Sequence, residues 1–277
     1  MTFLDKYNIE PFNYPSSVKR LVFCDFDETY LPFSNENKNK SGVSDLENLI
    51  QLNHDILSLL IGWVTGSNLE SVLRKSDGYI SYLPHFIASS LGTEFHWIKN
   101  GQVQESEEWA NRIVQSGFSK KNIDKILVTL SSSGINLIKQ NSDYQGKYKE
   151  SYYYSISETE NDDIKIIKEI SNRYNVKASF TRCNPAAGDP ENSYDVDFIP
   201  TCCGKDEVVL FLCEYFSIDK SNTWSFGDSF NDFPMFKQTD KAFLVGNADP
   251  DAKAKHKHIL QSNYCFGIKE KLSELLG

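Results

Sequence analysis

The 277-residue chain has no apolar run approaching the roughly 18 residues that a membrane span requires. Residues 1–15 contain Asp5, Lys6 and Glu10 and lack the apolar core of a signal peptide. Six cysteines (Cys24, Cys183, Cys202, Cys203, Cys213, Cys265) include no Cys-x-x-Cys pair, so neither a zinc ribbon nor a redox motif is indicated. Most lie in apolar runs, where a free thiol packs as a small hydrophobe, and a reduced, cytoplasmic protein is expected. Vicinal Cys202 and Cys203 are read as packing. Basic excess is missing as well. A formal net charge of −9 argues against nucleic acid as a partner, since binding a phosphate backbone needs clustered Lys and Arg. It leaves room for a small phosphorylated substrate, because one lysine or metal ion overrules the global field locally. There is no internal repeat and no low-complexity segment. The length and ordinary apolar content suit two domains.

What is present is arranged around Leu21-Val22-Phe23-Cys24-Asp25-Phe26-Asp27-Glu28-Thr29-Tyr30. The apolar run reads as a buried strand of a parallel sheet. It ends in two carboxylates two residues apart, and alternate side chains at a strand end face the same way. Two like charges packed together need a cation or a proton between them. Taken alone, the pair also suits an acidic loop. A polar loop follows at 34–42, then a capping signal at Ser44 with Glu47 three residues on.

Residues 57–64 read as a second buried strand, ending in Thr65-Gly66-Ser67-Asn68 before a helical run. A hydroxyl and a glycine between strand and helix suit an oxyanion, although an ordinary helix cap has the same look. Residues 85–89 form a third strand candidate. From 95 to about 197 the pattern turns to amphipathic helices (120–130, 162–174) and short polar strands (152–156, 176–181), which is α+β material. The apolar pattern then resumes. Lys205 opens a helix, a strand at 223–226 ends in Gly227-Asp228-Ser229-Phe230-Asn231-Asp232, and residues 241–245 form a last strand.

In a doubly wound α/β sheet the strand ends converge on one edge, where ligands bind. Convergence would gather Asp25, Asp27, Thr65, Lys205, Asp228 and Asp232. Four carboxylates together demand a cation, and an all-oxygen set without His or Cys suits Mg²⁺. With Lys205 and the Thr65 hydroxyl opposite, the set is suited to phosphoryl transfer.

Asp-x-Asp-x-Thr at 25–29, the apolar run ending in Thr65-Gly66, the lone Lys205 and Gly-Asp-Ser-x-Asn-Asp at 227–232 resemble the four ordered motifs of the haloacid dehalogenase (HAD) superfamily of phosphatases. The resemblance implies a Rossmann-like α/β core (1–92 and 198–277) and an inserted C2-type α+β cap (93–197), as in the sucrose-phosphatase-like branch. It implies that Asp25 is the nucleophile, forming an aspartyl-phosphate. Asp27 then acts as acid on the leaving oxygen and as base on water. Mg²⁺ would be held by Asp25, the Asp27 carbonyl and Asp228, with Asn231 and Asp232 orienting ligands or Lys205. Thr65 and Lys205 would stabilise the transferring group, supported by Thr29, Gly66 and Ser67.

Asp27 speaks against a dehalogenase, which lacks it, and for rapid hydrolysis of the phospho-enzyme. A mutase uses the same acid/base. The cap is expected to choose the leaving group. Its candidates are Lys147, Lys149, Tyr152, Tyr153, Arg182, Asn184, Asp189 and Glu191, with Asp189 or Glu191 suited to an amino group on the sugar. Tyr152 to Tyr154 also reads as a cap strand with one buried face, and Lys147 and Lys149 as solvated charges. Similarity over 23–30, 61–67, 84–89 and 182–200 points to aminosugar-phosphate phosphatases of antibiotic biosynthesis, with kanosamine 6-phosphate as the expected substrate. Sucrose, hexose or trehalose 6-phosphate are the alternatives. A HAD-fold binding protein without turnover is the other class, but no motif carboxylate is missing.

Overall fold

A computed structural model describes residues 9–183, 185 and 188–277, and the chain divides into two compact units: up to Ser106 together with Lys205–Gly277, and Glu107–Gly204. In chain order the elements used below are β1 (Arg20–Cys24), α1 (Val43–Leu52), β2 (Leu59–Val64), α2 (Leu69–Ser76), β3 (Phe86–Ser89), β4 (Glu94–Lys99) and β5 (Gln102–Glu105). The second unit follows with α3 (Glu107–Gln115), α4 (Lys120–Ser132), β6 (Ile138–Lys139), β7 (Glu150–Ser155), α5 (Glu160–Arg173), β8 (Val176–Arg182) and β9 (Ser193–Pro200). The first unit then resumes with α6 (Lys205–Phe216), β10 (Thr223–Gly227), α7 (Phe233–Gln238), β11 (Lys241–Leu244) and α8 (Tyr264–Ser273).

The first unit is a seven-stranded sheet in the order β11-β10-β1-β2-β3-β4-β5. Its five strands from β11 to β3 are parallel, and β4 and β5 extend the edge as an antiparallel hairpin. All six residues of β2 are buried, and so are the last four of β1 and all of β10. Strands covered on both faces have no solvent side to mark with charged residues, which is why β1 and β2 read as near-continuous apolar runs and β10 as one broken only by Thr223 and Ser225. Among the described residues no helix is long and apolar enough to cross a membrane. All six cysteines are free.

The hairpin lies outside the expected core boundary. Asn100 (φ 52°) and Gly101 (φ 69°) make its turn in the left-handed conformation, an Asn-Gly hairpin signal. The strand 193–200, placed partly in the core by its apolar end, pairs instead with β8 and β7. The two seams therefore fall at 106/107 and 204/205 rather than at 92/93 and 197/198. The expected Ser44 cap is also displaced. Gly42, at φ 79°, is the N-cap of α1, and Ser44 lies within the helix.

The second unit is a four-stranded antiparallel sheet in the order β8-β9-β7-β6, with α4 and α5 packed on one face. Tyr152 and Tyr154 of β7 and Val196 and Phe198 of β9 join Ile123, Ile126, Leu130 and Ile167 in its core. Alternation puts Tyr153, Asp195 and Asp197 on the opposite face.

His85 shows how the strand carrying Thr65 is tied down. It is buried; its Nδ1 accepts from Ile61 N of β2 at 3.1 Å, and its Nε2 lies 3.2 Å from Asn13 O. Burial holds the ring well below the ordinary histidine value of 6.5, at about 4. A folded value below the unfolded one means the neutral ring's contribution is complete above about pH 6.5 and is lost as pH falls toward 4. The separation corresponds to roughly 3 kcal/mol. Glu47, also buried and pushed up to about 7, contributes the opposite slope, so the His85 effect is read as a difference. The stability gap between wild type and His85→Gln in urea unfolding should shrink by roughly 2–3 kcal/mol between about pH 7 and pH 4.5. A gap independent of pH would refute the buried neutral ring.

Candidate active site

Parallel strands of a common register deliver their last residues to one edge. Asp25 follows β1 and takes a backbone bond from its own N to Phe226 O of β10 at 2.9 Å. Thr65 follows β2, and its N donates to Ala88 O of β3 at 2.9 Å. Asp228 follows β10. Lys205 is the first residue of α6 and is buried, with its side chain 2% exposed.

The Lys205 ammonium is the hub. It donates to Asp25 Oδ1 at 2.8 Å, Asp232 Oδ1 at 2.7 Å and Asn231 Oδ1 at 3.1 Å. Asp232 is committed on its other oxygen too: Oδ2 accepts from the backbone N of Asp228 at 2.9 Å and of Ser229 at 3.1 Å. That geometry requires a glycine before it, because a Cβ on Gly227 would sit 2.3 Å from the Asp232 carboxyl carbon. Thr29 Oγ1 donates to Asp228 Oδ1 at 3.0 Å. Ser67 N donates to the Thr65 hydroxyl at 3.1 Å.

Electrostatics follow from this packing. Burial pushes the Asp25 carboxyl above the usual carboxylate range; Lys205 opposes that and Asp232 adds to it. Asp228 is pushed up further, by burial and then by Asp232 and Asp25. Burial alone would lower the Lys205 ammonium, but Asp232 and Asp25 together hold it above its ordinary value. One cation thus serves three carboxylates whose oxygens lie within 4.8 Å of one another. The unmet charge, the buried oxygen donors and the absence of His or Cys from the group fit a hard divalent cation such as Mg²⁺. Because both Asp232 oxygens are already engaged, Asp25 and Asp228 are the carboxylates suited to hold it. Asp232 and Asn231 orient Lys205.

Asp27 stands apart from this network. Its Oδ2 accepts from Ser67 Oγ at 2.7 Å and its Oδ1 from Lys75 Nζ at 2.6 Å. The turn that carries it is held by Glu28, which adopts φ 58°. The Glu28 carbonyl accepts from Asn247 Nδ2 at 2.7 Å, and its carboxylate from the Tyr264 hydroxyl at 3.2 Å. Neither Lys75 nor this anchoring pair was legible in the motifs, since their partners are distant in the chain. Gly66 lies beside Leu91, which a Cβ there would meet at 3.5 Å.

The second-unit candidates are divided. Lys149 is buried and lies 3.7 Å from Asp197 Oδ1, so it is not the solvated charge its sequence suggested. Lys147 is exposed, with its ammonium over the Tyr148 ring. Arg182 is exposed over the Tyr194 ring, and Glu191 is exposed. Asn184 lies outside the described residues. Asp189 and Tyr153, by contrast, gather with groups that sequence reasoning missed: Cys183, Asp189 and Asp195 have ligand atoms within 4.8 Å of one another. Gln140 Nε2 donates to Asp195 Oδ1 at 2.7 Å. Burial pushes Asp195 up to about 6, with Asp197 and Asp189 adding to it. Burial and the same Asp189 and Asp195 charges push the Tyr153 phenol up to about 12. The alternation Asp195-Val196-Asp197 was the available signal, an acidic row on one strand face.

A family model described as sucrose-6F-phosphate phosphohydrolase matches residues 18–273. A kanosamine-6-phosphate phosphatase of Bacillus subtilis is 39% identical over 262 residues, covering 93% of this chain and 93% of that protein. Among solved structures, yhjK of Bacillus subtilis, a haloacid dehalogenase-like hydrolase, is similar at a TM-score of 0.78 and 37% identity, over 99% of this chain and 97% of that one. The sucrose-phosphatase of Synechocystis, solved with sucrose and phosphate, shares the fold at a TM-score of 0.69 and 18% identity, over 93% of this chain and 98% of that one. With the match spanning both units, the chain belongs to the sucrose-6F-phosphate phosphohydrolase family, within the haloacid dehalogenase-like hydrolases.

Proposed function

We propose that the chain is a Mg²⁺-dependent sugar-phosphate phosphatase working through an aspartyl-phosphate on Asp25, and that its substrate is kanosamine 6-phosphate. The observation that carries the reaction is the division of the two motif carboxylates between separate partners. Asp25 is buried and paired to Lys205, whereas Asp27 is paired to Ser67 and Lys75. A nucleophile must keep an unprotonated oxygen, and the Lys205 ammonium stabilises that form. Asp25 then attacks phosphorus and the sugar oxygen leaves. An alkoxide is a poor leaving group, so Asp27 donates a proton to it and next removes one from the attacking water.

Lys205 and the Thr65 hydroxyl stabilise charge on the transferring group, and Asp232 holds Lys205 in place through two backbone N–H anchors. Asp25 and Asp228, with the Asp27 carbonyl, would hold the magnesium ion, whose chemistry is neutralisation of phosphate charge and orientation of the phosphoryl group. Phosphate release should fall by about 10⁴-fold or more in Asp25→Asn. It should vanish with a chelator and return on adding Mg²⁺. Release by a chelated enzyme would overturn the metal assignment.

The aminosugar reading rests on the similarity to the kanosamine-6-phosphate phosphatase and on the second unit's acidic face. Burial, and then the charges of Asp197 and Asp189, make Asp195 resist ionising, so an ammonium group brought to it would be favoured. Antibiotic biosynthesis is the setting this substrate implies. In a panel of kanosamine, glucosamine, glucose, trehalose and sucrose 6-phosphates, the kanosamine ester should have the highest kcat/KM. Asp195→Asn should reduce that preference by about tenfold. The folded value near 6 adds a pH signature: the preference should weaken as pH falls through about 6, where Asp195 gains its proton. Equal use of glucose 6-phosphate, or preference for the sucrose ester, would discard the amino-group role while leaving the core chemistry standing.

A further inference from the structure

We propose that Lys75 is a positioning residue that, together with Ser67, fixes the plane of the acid/base carboxylate Asp27. The inference rests on the reading of Asp25 as nucleophile and Asp27 as acid/base. Lys75 belongs to the last turn of α2, the helix that begins just beyond Thr65-Gly66-Ser67. Its ammonium lies 2.6 Å from Asp27 Oδ1 and 3.1 Å from Ser67 Oγ, while Ser67 Oγ lies 2.7 Å from Asp27 Oδ2. The three groups close a triangle in which each touches the other two. Lys75 and Asp27 side chains are 29% and 20% exposed, so the pair is only partly screened by water.

The triangle has a specific consequence. The backbone around Asp27 is set by the Glu28 turn, but the torsion that turns an aspartate's carboxylate plane is soft and broad. Hydrogen-bond partners on its oxygens fix that plane, and here each oxygen has a side-chain partner. An ammonium has three donors and no acceptor, so Lys75 serves Asp27 Oδ1 and Ser67 Oγ at once. A hydroxyl can either donate or accept. Lys75 on Oδ1 and Ser67 on Oδ2 therefore hold the plane in which Asp27 presents its carboxylate. Phe33 supports the arrangement: the Lys75 ammonium lies 5.5 Å from its ring centre. Lys38 feels both Lys75 and Asp27, so a second cation stands near the same carboxylate.

Loss of this orientation should hurt only steps that need Asp27. The value of kcat/KM reports steps up to release of the leaving group, and an alkoxide needs a proton where a nitrophenolate does not. The experiment compares wild type, Lys75→Met and Lys75→Arg on two esters: the best sugar phosphate of the wild type and p-nitrophenyl phosphate. Lys75→Met should lower kcat/KM for the sugar ester by about 10- to 100-fold. For p-nitrophenyl phosphate, kcat/KM should stay within about threefold while kcat falls, because water attack on the phospho-enzyme still needs the base. Lys75→Arg should restore much of the loss. Thermal melting of each variant separates these effects from misfolding. Equal falls in kcat/KM on both esters, or no fall on either, would overturn the proposal. A wild type that releases phosphate from neither ester would instead overturn the functional reading beneath it.

Discussion

The buried ammonium of Lys205 is the constraint on which the catalytic edge depends. A lysine at the first residue of a helix faces the positive end of the helix dipole, and burial penalises its charge as well. Both costs are offset by Asp25 and Asp232, each within 2.8 Å. The same two carboxylates would be intolerable in that place without it, so neither side of the arrangement stands alone. Asp232 must reach back under the Asp228 and Ser229 amides to serve, which is why position 227 has no room for a side chain. Three carboxylates against one ammonium still leave the site short of positive charge. That shortfall, more than any single distance, makes the edge a place for a hard cation and a phosphate together.

Charge also separates the two aspartates that the sequence sets side by side. Asp25 faces inward, where a low dielectric strengthens its pairing with Lys205. Asp27 faces a partly wet surface, between the Ser67 hydroxyl and the Lys75 ammonium. Under the proposed function, the fixed Asp25 suits a nucleophile and the Asp27 pairing suits an acid/base held in one orientation. The left-handed Glu28 turn, tied to Asn247 and Tyr264, is what allows carboxylates two residues apart to have such different surroundings.

Most of this edge could be read from the chain because buried parallel strands leave an unmistakable trace. Residues 21–24 and 59–64 carry no polar side chain, 223–227 carries only the small hydroxyls of Thr223 and Ser225, and each run stops where a polar residue meets the site. Where burial is one-sided the trace is weaker. The hairpin Glu94–Glu105 alternates Phe95 and Trp97 with polar residues, so it looked like the start of the inserted domain despite its Asn100-Gly101 turn. Strand β9 ends in Phe198-Ile199-Pro200, which resembles a return to the core although it pairs inside the second unit. Lys75 was invisible for another reason. A lone lysine in an amphipathic helix is ordinarily solvated, and its partner Asp27 lies 48 residues away.

The second unit's chemistry was the least legible, and the cause is physical. A phosphate has fixed charge and geometry, so it dictates residue types, and those types form motifs. A sugar presents hydroxyls that can be met by almost any polar side chain or by water, so a neutral leaving group leaves little trace in sequence. An amine differs, because its desolvated charge is best repaid by an acidic partner. Asp195 and Asp197, alternating on one strand face with Asp189 nearby, make that kind of demand. Their neighbour Lys149 answers Asp197 rather than Asp195. Among the described residues Asp195 has no ion pair, and it lies beside Tyr153 on the same sheet face.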